Sequence, residues 1–468
     1  MRRLAVIVLI LVWVLAAAPA GADEPEPLFT VQRLSERVLI FTENSPWESN
    51  HVVIVGEDGM VLVDPGYSPQ MARLIRQAVA DELGRDRFDY VIDTHGHWGH
   101  TWGNAGFPEA QAVGHEQAAR TMAADRANLE PRLAFLEGQL EQAKTAADDT
   151  DPGSPEAHEA AMQLAHFERL AAGLSEPGIA VEPPRLTFSD RLHLDLGDLS
   201  LQMVFLGRAH SQSDIAILIP EEKVLLIGCF FLEQGPLPVF GRRGNLDPDR
   251  WLEVFDALLE SEPAFETVVL GQHSVWPRAK LVAVRDYMAH LWSEVQALEA
   301  EGVDLETAIT RLPPGDDLDF LREAGVSDEE LADYNRREAE TLWRQLKESA
   351  SAMVAAAIDD GGAAAGKALY QRLVASDASD VYFDEVEFNA LGYRYLGEER
   401  AADAIAVFEI NVDHFPDSWN VYDSLGEAYA AKGDIARAVE LYSRSVEINP
   451  GNTTGVQALE RLQATSEE

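Results

Sequence analysis

The chain has 468 residues, 80 acidic and 37 basic, with a formal net charge of −43 and 46% apolar residues. That much apolar material excludes global disorder, and the length sets an expectation of about three domains or subdomains. So acidic a surface repels phosphate and anionic lipid, which argues against non-specific nucleic-acid binding, and a single cysteine, Cys229, excludes an intrachain disulfide framework and a CxxC zinc ribbon.

The first pattern along the chain is a targeting one. Arg2 and Arg3 precede an apolar run from Leu4 to Ala18, and two small-x-small motifs follow, Ala18-Pro19-Ala20 and Ala20-Gly21-Ala22. This predicts a signal peptide over residues 1–22 and a periplasmic or secreted mature protein. The competing reading is an uncleaved anchor, which the shortness of the apolar run disfavours. No later apolar run is long enough to span a bilayer.

Residues 28–64 read as short strands, LFTVQRL, RVLIFTE, HVVIVG and MVLVD, rich in Val, Ile and Phe and separated by turn-formers such as Glu57-Asp58-Gly59. A helix is expected from Pro69 to Leu83, then a strand, DYVIDT, at 89–94. Leu129, Leu133, Leu136 and Leu140, and then Ala160, Leu164, Phe167 and Ala171, repeat spacings of 4, 3 and 4 on either side of DDTDPGSP. They predict a helical hairpin insertion at about 128–175, for packing or as a lid over a site. Strands resume in LTFSD, SLQMVFLG, IAILIP and KVLLIGC between 186 and 229, and in TVVLG at 267–271. Two groups of strands, each with helices, fit a layered α/β sandwich over residues 23–302.

Leu281, Val284, Met288, Leu291, Val295 and Leu298 mark a long amphipathic helix, whose stripe reads as a packing face. Residues 303–380 read as a helical connector with joints at GDDLD and IDDGGAAAG. Over 381–468 a pattern recurs after 34 residues: Leu391-Gly392 as Leu425-Gly426, Tyr395 as Tyr429, Ala404 as Ala438, Phe408 as Tyr442 and Pro416 as Pro450. These offsets resemble the tetratricopeptide repeat, a helix pair that cannot bury its apolar face alone. The resemblance implies self-association or a protein partner.

The chemistry concentrates in Thr94-His95-Gly96-His97-Trp98-Gly99-His100, directly after an apolar strand. Neutral imidazoles are suited to zinc. His210 in GRAHSQSD, Cys229 in KVLLIGCFF and His273 in VVLGQHSVW each follow or end another strand, and strands ending on one sheet edge bring such residues together. His51, His115 and His290 lie outside these segments and read as structural.

LVDPGY with Asp64, HGHWGHTWGN, AHSQSD and VLLIGC together resemble the metallo-β-lactamase superfamily over about residues 28–300. The resemblance implies an αββα sandwich, interrupted here by the helical insertion and followed by an all-α tetratricopeptide-like domain. It implies His95, His97 and His210 as ligands of a first zinc, with Asp64 and Asp214 behind the ligands. His100, Cys229 and His273 would serve a second site. Three departures fall on that second site: Gly99 replaces the Asp of the family's HxHxDH, Cys229 stands where most hydrolases of the family have a bridging Asp, and His273 is displaced by one residue.

The expected function is hydrolysis of a small amide, lactone or ester, with one tight zinc and a second weak or absent. Zinc lowers the pKa of a bound water from about 15.7 to near 7. A catalytically impaired metal-binding scaffold whose helical tail recruits a partner is the alternative. A mononuclear-iron oxygenase is disfavoured by Gly99. The catalytic groups beyond the metal and the substrate class do not follow from the sequence. Export has a direct check: mass spectrometry of the mature protein is expected to find its N-terminus at residue 21 or 23, and intact Met1 on a membrane-embedded chain would refute it.

Overall fold

Most strands of the N-terminal half are apolar on both faces, and the structure uses both. The computed structural model describes residues 27–466, apart from 128, 149, 151–153, 177–179, 235–236, 240–245, 263, 377–379 and 399. The predicted signal peptide lies outside the described residues. One sheet runs β1 (Phe29–Arg33), β2 (Val38–Glu43), β3 (Asn50–Val55), β4 (Met60–Val63), β5 (Tyr90–Asp93), β6 (Gln111–His115) and β7 (Leu186–Phe188), in that order. Its first four strands are an antiparallel meander, and β4 to β7 are parallel. The second sheet contains β8 (Arg191–Asp195), β9 (Ser200–Phe205), β10 (Ile215–Ile219) and β11 (Val224–Leu226). After a small ribbon of β12 (Leu232–Gln234) and β13 (Leu237–Val239), β14 (Thr267–Val269) and β15 (Val275–Pro277) complete that sheet, in the order β15-β14-β11-β10-β9-β8.

The two-residue period of a strand sorts the side chains. In β2, Val38 and Ile40 enter the core between the sheets, while Leu39 and Phe41 enter the core beneath the helices. In β10, Ile215, Ile217 and Ile219 face the first sheet, and Ala216 and Leu218 face the opposite helix layer. The first sheet is covered by α1 (Pro69–Leu83), the short α2 (Trp98–Thr101), α3 (Glu116–Ala127), and the hairpin of α4 (Leu129–Asp148) and α5 (Pro155–Leu174). α1 starts where Ser68 Oγ caps the Met71 amide and stops at Gly84 in the left-handed region. The second sheet is covered by α6 (Pro248–Leu259) and α7 (Arg278–Ala300). The order helix, sheet, sheet, helix is the expected sandwich.

The core of that second helix layer continues past residue 302. α8 (Leu305–Arg311), α9 (Asp319–Glu323) with the 3-10 turn before it, and α10 (Asp328–Arg344) add Leu318, Leu321, Leu331, Tyr334 and Leu342 to the apolar cluster that holds Tyr287 and Trp292 of α7. Tyr287 Oη also donates to Asn335 Oδ1 at 2.9 Å. A separate core begins with α11 (Ala350–Ser376), which is broken at Gly362, within the joint expected from IDDGGAAAG. It continues through α12 (Glu385–Gly397), α13 (Ala401–His414), α14 (Trp419–Lys432) and α15 (Ile435–Ile448), with α16 (Thr453–Ser466) last. Apart from a short parallel pair, β16 (Glu348–Ser349) with β17 (Val381–Tyr382), the C-terminal part is therefore helical. Among the described residues no helix is long and apolar enough to cross a membrane.

This shared core predicts where the chain can be cut. Leu318, Leu321, Leu331 and Leu342 are at most 1% exposed. Each such burial contributes roughly 1.5–3 kcal/mol, so the four together reach on the order of 10 kcal/mol, comparable with the net stability of a whole domain. A chain ending at residue 347 is expected to keep a cooperative thermal transition, and one ending at 302 to lose it. Equal melting of the two, followed by circular dichroism, would show that α8 to α10 are dispensable.

Candidate metal centre

Parallel pairing of β4 with β5 sets Val63 opposite Ile92, so the residues that leave both strands emerge on one edge. These are Asp64 on one strand and Asp93, Thr94 and His95 on the other. Asp64 has φ +56°, a conformation few side chains adopt, and its carboxylate is tied down on both oxygens. Oδ1 accepts the Thr94 amide at 2.8 Å and Oδ2 the Thr94 hydroxyl at 2.7 Å. Oδ2 also lies 3.6 Å from His100 Nδ1. Burial pushes the Asp64 carboxyl up to about 7, against the two Thr94 bonds.

Four imidazoles and a thiol converge at this edge. The His95 ring centroid lies 4.9 Å from His97, 4.7 Å from His100 and 5.2 Å from His210. His97 Nδ1 is 2.9 Å from His210 Nε2, and Cys229 Sγ is 3.3 Å from His100 Nε2. One ligand atom from each of His95, His210 and Cys229 falls within 4.8 Å of the others. His95 Nδ1 sits 3.1 Å from the Thr94 hydroxyl, while its Nε2 is buried with no hydrogen-bond partner. Burial first, then repulsion among the imidazoles, holds His95 and His100 well below the usual histidine range. Neutral imidazoles beside a thiol, with a buried ring nitrogen left over, are a donor set that fits zinc or a similar borderline-soft cation.

Buried carboxyls hold the loops that deliver these rings. Asp214 Oδ2 accepts the Ser211 amide at 2.7 Å, which fixes the turn after His210. Burial raises the Asp214 carboxyl to about 7. Asp93 Oδ2 accepts Asn104 Nδ2 at 2.8 Å and so ties down the turn that follows His100. Ser213 Oγ accepts the Gly96 amide at 2.9 Å, joining the two histidine loops. Sequence reasoning did not find Asp93, Asn104 or Ser213. Their only signal was proximity to the motif.

The second sheet closes on the first through small residues. A Cβ on Gly228 would lie 2.5 Å from Thr94 Oγ1, and one on Gly271 2.7 Å from Cys229 Sγ. His273 sits elsewhere: at φ +55° its amide donates to the Glu48 carbonyl and its Nδ1 lies 3.1 Å from Glu48 Oε2. The one-residue displacement thus leaves the ring half-buried against Glu48, whereas His95, His97, His100, His210 and Cys229 are brought together. His51 is buried with Nδ1 2.5 Å from the Asp64 carbonyl oxygen, and His115 stacks on Phe205 with ring centroids 4.1 Å apart.

Gly99 lies inside α2, where φ is not positive and a Cβ would meet nothing within 4 Å. An aspartate fits there. Gly99→Asp is expected to tighten binding of a second metal equivalent by about tenfold or more, the scale on which groups around a metal alter affinity. Chelator competition measures it, and an unchanged second affinity in a folded variant would show that residue 99 does not face the site.

Residues 44–273 match the model of the Metallo-beta-lactamase superfamily. The α subunit of 2,4-dinitroanisole O-demethylase from Nocardioides sp. (strain JS1661) is 32% identical over 109 residues, which are 23% of this chain and 32% of that protein. A type 2 metallo-beta-lactamase from Bacteroides fragilis is 29% identical over 96 residues, 20% of this chain and 37% of that one. The chain therefore spans about a third of the length of these curated relatives. Similar solved structures include a stereoselective inverting sec-alkylsulfatase from Pseudomonas sp., at 13% identity and TM-score 0.48 over 91% of this chain and 66% of that one. A metallo-beta-lactamase from Pontibacter korlensis aligns at 16% identity and TM-score 0.37 over 56% of this chain and 99% of that one. With the strand-edge cluster of histidines and the sandwich that carries it, the match makes residues 44–273 a metallo-beta-lactamase superfamily domain.

Proposed function

We propose that the protein is an exported, zinc-dependent hydrolase of a small amide, lactone or ester, with an altered second metal site. The observation that carries this reading is the convergence of His95, His210 and Cys229 within 4.8 Å, with His97 against His210 and His100 against Cys229. In this reading His95, His97 and His210 hold one metal. His100 and Cys229 form the remnant of a second site, which Gly99 and the position of His273 leave short of ligands. Zinc supplies a Lewis acid and activates water when bound.

The remaining roles belong to the chain's own groups. The Thr94 hydroxyl at 3.1 Å orients the His95 ring, and the Asp64 carboxylate faces His100 Nδ1. Such outer contacts set the tautomer and direction of a ligand. The 206–214 loop, pinned by Asp214, holds His210 opposite His97. Small substrates would reach the cluster from the strand edge, since both sheets bury their other faces under helices.

For the tail, the repeat reading is supported by geometry that recurs in both units. A Cβ on Gly392 would meet Phe408 at 2.4 Å, and one on Gly426 would meet Tyr442 at 3.2 Å. We read α12 to α15 as two tetratricopeptide-like units that serve self-association or a protein partner.

Elemental analysis of purified protein is expected to give about one tightly held zinc per chain, with a second removed readily by chelator. Hydrolysis of a panel holding a lactone, an aryl ester, an alkyl sulfate and a chromogenic β-lactam tests activity. His95→Ala and His210→Ala are each expected to lose the tight zinc and to lower turnover by about 10³-fold or more, the scale of losing a metal-activated nucleophile. Full activity in metal-free protein, or no turnover across the panel by zinc-replete protein, would sink the proposal.

A further inference from the structure

The helical insertion is anchored twice. Its apolar anchorage is Leu170 and Leu174 in the core beneath α1, with Gly173 passing close to Ser68. Its polar anchorage is at Glu43, the last residue of β2. Glu43 is 1% exposed, and its Oε1 lies 3.6 Å from His166 Nδ1 and 3.5 Å from Arg169 Nη2. The His166 ring also packs against Trp47, centroids 4.4 Å apart, and Tyr67, at 5.5 Å, while Phe167 meets Trp47 edge-on at 5.5 Å. A carboxylate this buried is costly without positive partners. The Arg169 guanidinium of α5 is such a partner, His166 of α5 lies beside it, and the Tyr67 hydroxyl also reaches the carboxylate; against burial, contacts led by His166 hold the Glu43 carboxyl below its usual range.

Beyond Glu43 the chain crosses residues 44–50, and this short segment is fastened to the metal edge on its other side. The Glu43 amide donates to Ser49 O, the Asn50 amide to Gly271 O and the His273 amide to Glu48 O, each at 2.9 Å. Asn50 Nδ2 donates to Leu270 O at 2.9 Å. Gly271 in turn donates its amide to Gly228 O at 2.6 Å and lies against Cys229. A continuous run of contacts therefore leads from α5 through Glu43 and residues 44–50 to the thiol.

We propose that the insertion is the positioning arm of the candidate site and that Glu43 is its positioning residue. His166 and Arg169 hold Glu43, Glu43 holds residues 44–50, and these hold Gly271 against Cys229. The assignment of what is positioned rests on the metal-site reading above; the arm itself rests on the contacts alone.

Full-length Glu43→Gln, His166→Ala and Arg169→Ala test the arm, with Arg169→Lys as the conservative variant and Leu291→Ala, in the core under the opposite helix layer, as a packing control. Hydrogen exchange of the metal-free proteins reads the amides of Glu43, Asn50, Gly271 and His273. Cobalt(II) in place of zinc reads Cys229 through the thiolate absorption band. In the three disruptive variants those amides are expected to exchange at least about tenfold faster while β9 to β11 keep their protection. The cobalt band shifts in the same variants, and Arg169→Lys stays near wild type. If Glu43→Gln fails to fold, Arg169→Ala, at a partly exposed side chain, carries the test. Unchanged exchange, a uniform loss across the domain, or the same local pattern in Leu291→Ala would overturn the arm. Wild type that binds no cobalt and turns over nothing, while the local exchange pattern appears, would overturn the metal-hydrolase reading and leave the arm standing.

Discussion

Asp64 and Thr94 leave two parallel strands side by side, and the carboxylate of one takes both the amide and the hydroxyl of the other. This pair fixes the first turn after β5, and from that turn hang His95, His97 and His100. It holds Asp64 in a left-handed backbone conformation, which costs on the order of 1–3 kcal/mol at a residue other than glycine. It also buries a carboxyl deeply enough that ionisation at neutral pH is only partly favoured. A sheet designed for stability alone would carry neither cost. The surrounding packing imposes both, and in return the motif begins from one defined geometry.

The same device recurs around the cluster. Most of the 80 acidic side chains can remain in water, where ion pairs contribute little. A few are withdrawn into the sandwich, and each of these fastens one loop. Asp64 holds the turn of His95, Asp93 the turn behind His100, and Asp214 the turn of His210. Glu43 plays a comparable part at the end of β2. Acidity in this chain is thus a bulk property of the surface and a positional property of the site.

Much of this could be read from residue order. α1 was legible to its ends because Ser68, Pro69 and Gly84 are local signals that act within one turn. The strands of the inner sheets were legible because their apolar runs are continuous. β6, in QAVGH, was not, because one valine beside a glycine carries little strand propensity and its place is set by parallel pairing with β5. β8 was overlooked for another reason: an edge strand, exposed and half-buried in alternation, lacks the apolar run of the others. The clustered histidines followed from spacing, but the direction of His273 depends on φ +55° and on Glu48, 225 positions away. Arg169 and Glu43 are 126 positions apart, and no local pattern joins them. An amphipathic helix announces that it has a partner without saying which one, so the attachment of α8 to α10 to the sandwich was also hidden.

That attachment has a consequence for the order in which the chain can fold. The first sheet and its covering helices lie within residues 29–188, so the core between them can collapse while the rest is still being made, and only the sheet's other face waits for the second sheet. The second sheet cannot finish in the same way. Its outer face waits for α6 and α7, and those wait for Leu331, Tyr334 and Leu342. Until residue 344 has emerged, that layer exposes aromatic and aliphatic surface of the kind that sticky intermediates present. Vectorial synthesis therefore delivers one half of the candidate site early and the other half, with His210 and Cys229, late, so the cluster assembles only after most of the polypeptide has been built.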